Sequence, residues 1–378
     1  MSKMASVNIL GCEILSCLGD LKQTTKLIKN SKTGISSKSI EANGEKVKIP
    51  YYLLENEVKQ NQKDIYAVLR KIVQEIVKKI DKTERKETAL LIGTSLIDWH
   101  LVDVINSCAY EYKKTPYFSK KTSIDSYAKE LALEFGLSEF TMSINTACTS
   151  SANALLEAKN LINAGVVKYA IVLGLEIFSP VMSSGFYSMD LISRTLPKPF
   201  DLDREGLVLG EAVSGILLGK EKSEWTLEGG FSNCNSQTIT SVSSSGEECL
   251  EVMQKALENC SLHVEDITAL KAHATGSSSN DEAEMNAIRN LFDSLLVFTA
   301  LKPYIGHTIG ASGALEISIM MNAIDDGFIP KTLFCEKPIL KDYMPINEHK
   351  ECKSGIFMCN YFGFGGNNTS LIIKKTLS

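Results

Sequence analysis

The sequence predicts an α/β protein with a buried sheet, and three adjacent segments support this expectation. Residues 169–176, YAIVLGLE, form a continuous apolar run of strand length, which is typical of a strand covered on both faces. A second strand-like segment, FTMSIN at 140–145, precedes it, and a helical segment lies between the two. Strand, helix and strand in this order form a βαβ unit, the usual component of a parallel sheet.

The helix between these strands places one cysteine in a distinctive position. Ala and Leu residues recur at helical spacing from Ala152 to Ile162, and Gly165 supplies a C-terminal stop. Cys148 therefore lies at or near the N-terminus of this helix, where the macrodipole and free N–H groups favour a thiolate and lower the thiol pKa. Free cysteines are more often buried apolar side chains, so Cys148 alone does not establish a catalytic site.

The other elements follow from the same periodicities. Upstream, we expect a strand at 5–17, a polar surface segment at 22–43, a core-packed helix at 62–80, a buried strand at 88–93 and a helix at 123–135. Downstream, we expect a loop at 178–189, a strand at 213–220, a helix at 246–260, strands at 267–274 and 295–302, and helices at 280–292 and 311–326. A local ion pair is expected between Asp201 and Arg204.

The similar sequences of two strand-like segments indicate an internal duplication. VSGILLGK at 213–220 is similar to TSLIIKK at 369–375, and each follows a glycine-containing segment. The boundary would lie near 220–225. We therefore expect two halves, 1–222 with the cysteine and 223–378 with two candidate histidines.

Composition excludes several classes of function. The net charge is −5, so a basic footprint for nucleic acid is not expected. The N-terminus lacks the long apolar core of a signal peptide, and no stretch approaches the length of a membrane span, which predicts a cytoplasmic protein. The ten cysteines include no C-x-x-C pair, so we expect reduced thiols, no metal and no cofactor.

Two histidines and a lysine complete a candidate constellation with Cys148. His273 lies in AHATG, and His307 lies in IGHTIGASGA, five residues after Lys302. A nucleophilic cysteine needs partners that move protons or stabilise developing negative charge, and these side chains can do both.

Five stretches in order resemble a known family. They are TACTSSA around Cys148, KPFDLDREGLVLGEA at 198–212, AHATG around His273, KPYIGHTIGASGA at 302–314 and YFGFGGNN at 361–368. Together they resemble the β-ketoacyl-acyl carrier protein synthases with a Cys-His-His site, which are elongating condensing enzymes of thiolase fold. The resemblance runs from about Val7 to the C-terminus. It implies two similar βαβαβ halves in a five-layer α-β-α-β-α core.

The resemblance also implies roles for individual residues. Cys148 would carry the acyl group, and neutral His273 and His307 would stabilise the enolate formed when a malonyl thioester loses CO2. Lys302 would hold the histidine and a nearby carboxylate network in place. Phe364 would gate the acyl pocket, and its N–H and that of Cys148 would form the oxyanion hole. The family's carboxylate positions are occupied by Asp281, Glu284 and Glu316, and for Asp281 a structural role at a helix start is an equal alternative.

The implied partners are acyl carrier protein, loaded with acyl or malonyl groups, and a second subunit in a homodimer or a heterodimer with a related ketosynthase. The apolar run from Tyr169 to Leu175 is compatible with such a dimer, and an interior strand is the alternative. The expected reaction is 3-oxoacyl-[acyl-carrier-protein] synthesis by decarboxylative condensation, in fatty acid or related polyketide or polyene biosynthesis. Two alternatives are a non-catalytic chain-length partner, which typically lacks the cysteine, and a thiolase or priming synthase.

Two departures from the family pattern bear on the pocket. Ala274 stands where the family has glycine, and the methyl group is expected to shift the loop. The turn at 94–99, TSLIDW, lacks the family's glycines. Ala274 and a chain shorter than most relatives favour an enzyme dedicated to one specialised pathway over the general fatty-acid elongation synthase.

Overall fold

The computed structural model describes residues 5–42, 44–54, 62–96, 124–234, 244–292 and 296–377, and these form an α/β fold. The elements of the first half of the chain, in order, are β1 (Val7–Ser16), β2 (Gly19–Asp20), α1 (Leu21–Lys29), β3 (Ser36–Ala42), β4 (Glu45–Tyr51), α2 (Gln62–Ile76), β5 (Thr88–Thr94), α3 (Ile124–Phe135), β6 (Thr141–Ile144), α4 (Ser150–Asn163), β7 (Tyr169–Glu176), α5 (Pro180–Ser188) and β8 (Ala212–Gly219).

The second half contains a similar set of elements. In order, they are β9 (Trp225–Cys234), α6 (Glu247–Cys260), β10 (Ala269–Lys271), α7 (Ser278–Leu291), β11 (Phe298–Thr299), α8 (Lys302–Ile305), α9 (Ser312–Asp325), β12 (Phe328–Ile329), β13 (Lys350–Glu351), β14 (Gly355–Phe362) and β15 (Asn367–Lys375). Among the described residues, no helix combines the length and apolar character needed to cross a bilayer.

The strands of the two halves follow the same order. The described sheet runs β11-β10-β14-β15-β9-β1-β8-β7-β5-β6. In the first half, β1 and β8 are antiparallel, β8 and β7 are antiparallel, and β7, β5 and β6 are mutually parallel. In the second half, β9, β15, β14, β10 and β11 repeat this pattern. We therefore propose 1–222 and 223–378 as the two halves, with the boundary between β8 and β9.

Helices separate and cover the two sets of strands. Apolar residues of α4 and α9 pack in one cluster with β5 and β7 on one side and β9, β14 and β15 on the other. Helices α2 and α3 cover the outer face of the first set, and α6 and α7 cover the outer face of the second. The layers therefore alternate helix, strand, helix, strand, helix, with α4 and α9 in the middle.

Several expected elements differ from the structure. Residues 178–189 were expected to be a loop, yet they contain α5, because the Ser179 side chain caps the Met182 N–H and Pro180 occupies the first turn. The polar segment at 22–43 contains α1, capped by Asp20, and β3. The strands expected at 267–274 and 295–302 shorten to β10 and β11.

The ion pair expected between Asp201 and Arg204 is wrong, and the run Tyr169–Leu175 matches its interior-strand alternative. The guanidinium of Arg204 donates to the backbone carbonyl of Asp201, not to its carboxylate, which instead accepts the backbone N–H groups of Asp203, Glu336 and Lys337. The run Tyr169–Leu175 is not a dimer edge, because β7 is an interior strand between β5 and β8. Among the described residues, the first half of the sheet ends at β6.

Candidate active site

Cys148 lies in one turn of 3₁₀ helix, Ala147–Thr149, between the end of β6 and the start of α4. Ala147 adopts a left-handed conformation with φ of 53°, which turns the chain sharply toward the helix. The Ser150 hydroxyl accepts the Thr146 N–H at 3.0 Å and donates to the Ala147 carbonyl at 2.6 Å. The nucleophile predicted from sequence therefore sits immediately before α4, as expected, and is 1% exposed.

The glycine-rich turn after β14 packs against the Cys148 turn. A Cβ atom on Gly363 would lie 3.4 Å from the Cys148 nitrogen, so the two backbones are in close contact. The Phe364 N–H donates a hydrogen bond to the Cys148 sulfur, and the Phe364 ring makes an edge contact with Phe186, with centroids 5.4 Å apart. Asn367 Oδ1 accepts from the Thr149 hydroxyl at 2.7 Å, which ties the two turns together.

The two predicted histidines converge on Cys148. His307 Nε2 lies 3.0 Å from Cys148 Sγ, and the His273 and His307 rings meet edge to face with centroids 5.3 Å apart. The sulfur and one nitrogen of each ring all lie within 4.8 Å of one another. A single small reacting group can therefore touch all three side chains.

The thiol pKa differs from the sequence expectation. A helix N-terminus was expected to lower it, but burial raises the pKa of Cys148 to about 11, while the Phe364 N–H and the Lys302 charge act in the opposite direction. The site excludes water so completely that desolvation of a thiolate outweighs the favourable dipoles. The resting side chain at neutral pH is therefore a thiol.

Both site histidines are neutral at pH 7. Burial, followed by the positive charge of Lys302, lowers the pKa of His273 and of His307 well below the usual value. Lys302 Nζ lies 3.4 Å from His273 Nδ1. An ammonium can only donate, so Nδ1 accepts and the ring proton resides on Nε2. Within the described part of the chain, that Nε2 has no hydrogen-bond partner.

Glu176, which the sequence reasoning missed, supports the loop that follows His307. Its carboxylate accepts the Gly310 N–H at 2.9 Å and the Ser95 hydroxyl at 2.7 Å. Gly310 is required there, because a Cβ atom would lie 2.4 Å from the Ser95 nitrogen. Burial raises the pKa of Glu176 to about 7. The only sequence signal was an acidic residue closing the apolar run of β7.

The expected lysine and carboxylates form a network behind His273. Lys302 Nζ donates to Glu316 Oε1 at 2.8 Å, and Glu316 Oε2 accepts from Lys271 Nζ at 2.5 Å. Lys271, at the end of β10, was not predicted, since a lysine in a short strand usually reaches solvent. All three side chains are buried.

The other two expected carboxylates hold the backbone around His273. Glu284 accepts the N–H groups of His273 and Ala274, each at 2.7 Å. Asp281 accepts the N–H groups of Phe200 and Gly276 and makes no contact with the two histidines in the hydrogen bonds described. These contacts agree with the alternative given above for Asp281, a structural role at the start of a helix.

The two departures from the family pattern have different outcomes. Ala274 adopts φ of 50°, a left-handed conformation that glycine favours, and Glu284 holds its N–H in place. The methyl group of Ala274 is therefore accommodated at a positive φ. In the turn at 94–99, the Ser95 N–H donates to the Glu176 carboxylate. Residues 97–99 lie outside the described part of the chain.

A buried thiol before a helix, facing two neutral imidazoles on a doubled α/β fold, fits the class of condensing enzymes that the sequence resembles. Comparisons with known proteins agree. The family model "Beta-ketoacyl synthase, N-terminal domain" matches residues 67–224, and "Beta-ketoacyl synthase, C-terminal domain" matches residues 226–336. The chain belongs to the β-ketoacyl synthase family, whose members are condensing acyltransferases.

Curated relatives carry consistent names. The chain is 28% identical to 3-oxoacyl-[acyl-carrier-protein] synthase I, chloroplastic, of Arabidopsis thaliana, over 77% of this chain and 66% of that protein. It is 28% identical to a putative mitochondrial 3-oxoacyl-[acyl-carrier-protein] synthase of Schizosaccharomyces pombe, over 79% and 77% of the two chains. It is 26% identical to 3-oxoacyl-[acyl-carrier-protein] synthase 2 of Vibrio cholerae, over 78% of each.

Solved structures share the fold over the whole chain. The ketosynthase ApeO of Xenorhabdus doucetiae, solved in complex with its chain length factor ApeC, aligns with a TM-score of 0.87 at 22% identity and covers 100% of this chain and 99% of that one. A β-ketoacyl synthase of Burkholderia phymatum aligns with a TM-score of 0.86 at 20% identity, over 99% and 100%. At these identities the likeness supports the fold alone.

Proposed function

We propose that the protein is a 3-oxoacyl-[acyl-carrier-protein] synthase that condenses malonyl groups with an acyl group held on Cys148. The observation that carries this proposal is the contact of 3.0 Å between Cys148 Sγ and His307 Nε2, with the His273 ring beside it. The chemistry needs a nucleophile and two neutral N–H donors in one dry site, and these three side chains provide them.

The first half-reaction loads the enzyme. Cys148 Sγ attacks the carbonyl of an acyl carrier thioester, and its proton passes to His307 Nε2 as the C–S bond forms. The carrier thiolate leaves and takes the proton, so His307 returns to the neutral state. The N–H groups of Cys148 and Phe364 stabilise the oxyanion, because the Phe364 N–H already faces the sulfur.

The second half-reaction forms the carbon–carbon bond. The malonyl thioester oxygen accepts from Nε2 of His273 and of His307 while the carboxylate leaves as CO2. The resulting enolate carbon attacks the acyl carbonyl on Cys148, and the tetrahedral intermediate collapses to release the thiolate, which takes up a proton. His273 contributes to this step because its Nε2–H has no partner within the described residues.

Ser312 lets His307 serve both steps. Its hydroxyl lies 3.5 Å from His307 Nδ1 and can either accept or donate. When it accepts, Nδ1 carries the proton and Nε2 is free to take the thiol proton. When it donates, Nε2 carries the proton and can stabilise the enolate.

The direct test is to follow both half-reactions with purified protein. Incubation with acyl carrier protein loaded with a panel of acyl groups should add one acyl mass to Cys148, and later addition of malonyl carrier protein should release CO2 and 3-oxoacyl carrier. Cys148→Ala should show no acyl adduct. Failure of every acyl donor to modify Cys148 in folded protein would overturn the proposal.

The proposal also covers the subunit interface, the partner in catalysis and the location of the protein. We place the subunit interface at β6, which ends the first half of the sheet within the described part of the chain, rather than at β7. Residues Thr141–Ile144 include no charge and no proline, the usual protections of a free edge. A second copy, or a related ketosynthase subunit, fits this edge. The partner in catalysis would be acyl carrier protein, and a cytoplasmic location remains a prediction.

A further inference from the structure

Lys271 is a buried cation that the mechanism above leaves without a role. Its side chain is 0% exposed, and Nζ lies 2.5 Å from Glu316 Oε2, 2.7 Å from the Asn360 carbonyl and 3.7 Å from the ring centroid of Tyr361. A carboxylate, a carbonyl oxygen and an aromatic face all favour an ammonium over a neutral amine. Burial lowers the pKa of Lys271, and the negative charge of Glu316 opposes this shift in part.

The arrangement is a linear chain of charges that ends at the active site. Lys271 bonds one oxygen of Glu316, Lys302 bonds the other at 2.8 Å, and Lys302 then approaches His273 Nδ1 at 3.4 Å. One anion lies between two cations, so the cluster carries a net charge of plus one. Without Lys271, Glu316 would neutralise Lys302, and the site would lose its positive potential.

We propose that Lys271 is a positioning residue for decarboxylation: by compensating Glu316, it leaves the charge of Lys302 free to hold His273 in the neutral, Nε2-protonated form. This inference rests on the proposed function of His273 as a donor to the enolate. An imidazolium at His273 would have a proton on Nδ1, which would repel Lys302 and break the contact between the two side chains.

The charged and titratable groups around His273 come from every neighbouring element. They are Lys271 on its own strand, Lys302 of α8, Glu316 of α9, Glu284 of α7, His307 and Cys148. Burial raises the pKa of Glu284 to about 7, so this group is about half ionised near neutral pH and carries the same charge in each variant compared below. The two lysines are the groups that lower the pKa of both histidines by their charge.

The net charge of the cluster formed by Lys271, Glu316 and Lys302 predicts the order of the His273 pKa among three variants. Lys271→Met removes one positive charge and leaves the cluster neutral. Glu316→Gln removes the anion and leaves it at plus two. The double variant Lys271→Met/Glu316→Gln restores plus one with Lys302 alone. The His273 pKa should therefore be highest in Lys271→Met, equal in wild type and the double variant, and lowest in Glu316→Gln.

The test measures that order in two ways. The first is the pH profile of CO2 release from malonyl carrier protein, whose acid limb should move up by about one pH unit in Lys271→Met and return in the double variant. The second is NMR titration of imidazole carbons, which is tractable because the chain has five histidines, with His273 assigned through His273→Ala. Lys159→Met, which removes a buried lysine of α4, is the control and should leave both readouts unchanged.

The two readouts separate the inference from the proposed function. A purely structural role predicts that Lys271→Met lowers activity equally at all pH values, and that the double variant gives no rescue. An unchanged His273 titration in folded Lys271→Met, judged by its circular dichroism, would overturn the inference. If wild-type protein releases no CO2, the proposed function fails, while the NMR order among the variants still tests the role of Lys271.

Discussion

The carboxylate of Glu176 accepts the backbone N–H of Gly310 at 2.9 Å, so the end of β7 is tied directly to the loop that carries His307. Because the same carboxylate also holds Ser95 at the end of β5, one buried acid links three segments around the nucleophile. Its other oxygen, Oε1, has no partner within the described residues. Such a group is expected to make stability depend on pH.

Replacing Glu176 with Gln should stabilise the protein at alkaline pH but not at acid pH. Burial raises the pKa of Glu176 from 4.5 to about 7, so the folded state holds a proton that the unfolded state has lost. Wild-type stability therefore falls as pH rises from about 4.5 to 7, by up to about 3 kcal/mol. Denaturant unfolding at pH 5 and pH 8 should show a variant advantage only at pH 8.

The matched control for this change is Glu130→Gln, which alters an exposed glutamate of α3 and should leave the pH dependence as in wild type. An equal effect of Glu176→Gln at both pH values would show that Glu176 acts through its hydrogen bonds and not through its ionisation.

Cys148 should react slowly with iodoacetamide at neutral pH, although it is the residue that acyl carriers modify. Burial raises its pKa to about 11, so the thiolate fraction and the alkylation rate should climb through the alkaline range. Cys234, which is exposed, should be labelled earlier at pH 7. Peptide mass spectrometry after timed alkylation measures both rates.

Lys302→Met serves as the comparison for the cysteine, because the Lys302 charge lowers the thiol pKa and its loss should slow labelling further. Rapid labelling of Cys148 with a plateau below pH 8 would mean that the sulfur is a thiolate at rest.

Alanine variants of the two histidines should affect the two half-reactions differently. His273→Ala should abolish CO2 release but leave acylation of Cys148 largely intact, because its ring contacts Lys302 and not the sulfur. His307→Ala should impair both steps, since His307 Nε2 lies 3.0 Å from Sγ. Removal of such a proton-transfer group typically costs about 100-fold or more in rate. Normal decarboxylation in either variant would contradict the mechanism.

Ser312→Ala should slow turnover by roughly tenfold, equivalent to about 1.4 kcal/mol in the barrier, because His307 loses the hydroxyl that adapts to both tautomers. Ser312→Thr keeps the hydroxyl and should retain more activity. The measurement is the steady-state rate of 3-oxoacyl carrier formation with each variant. Equal activity of the two variants would show that the hydroxyl has no part in catalysis.

Subunit association should depend on the edge of β6 that pairs with no other described strand. The Phe140 carbonyl bonds to Leu90 of β5, so by alternation the N–H of Ser143 points away from β5, toward a potential partner strand. Ser143→Pro removes that N–H without touching the β5 ladder and should yield monomers in sedimentation experiments, whereas wild type should remain associated at micromolar concentration. A monomeric, active wild type would refute the interface.

Strong periodicity made much of the fold predictable. YAIVLGLE corresponds residue for residue to β7, and the helix expected at 62–80 is α2 with one turn of 3₁₀ helix after it. The short α5 was missed because its signal is a cap, Ser179 with Pro180, rather than an apolar stripe. Hydrophobic periodicity therefore predicts long helices and strands better than it predicts short helices that depend on an N-terminal cap.

The electrostatics of the site could not be read from the sequence. The expected thiolate at Cys148 depended on the local helix, whereas the raised pKa of the thiol depends on burial created by turns that are distant in the chain. Likewise, the role of Lys271 depends on Glu316, which lies 45 residues away. Local motifs identify the candidate reacting residues, but packing between distant segments determines their charge states.

The division of the site between the two halves of the chain also has a consequence during synthesis. Cys148 leaves the ribosome 159 residues before His307, an interval of roughly 8 to 30 s at ordinary translation rates of about 5–20 residues per second. The nascent chain carries its nucleophile without either imidazole until His273 emerges, and without His307 throughout that interval. On the proposed mechanism, activity requires synthesis past His307, and a truncated chain that stops before this residue should not condense acyl groups even if it folds.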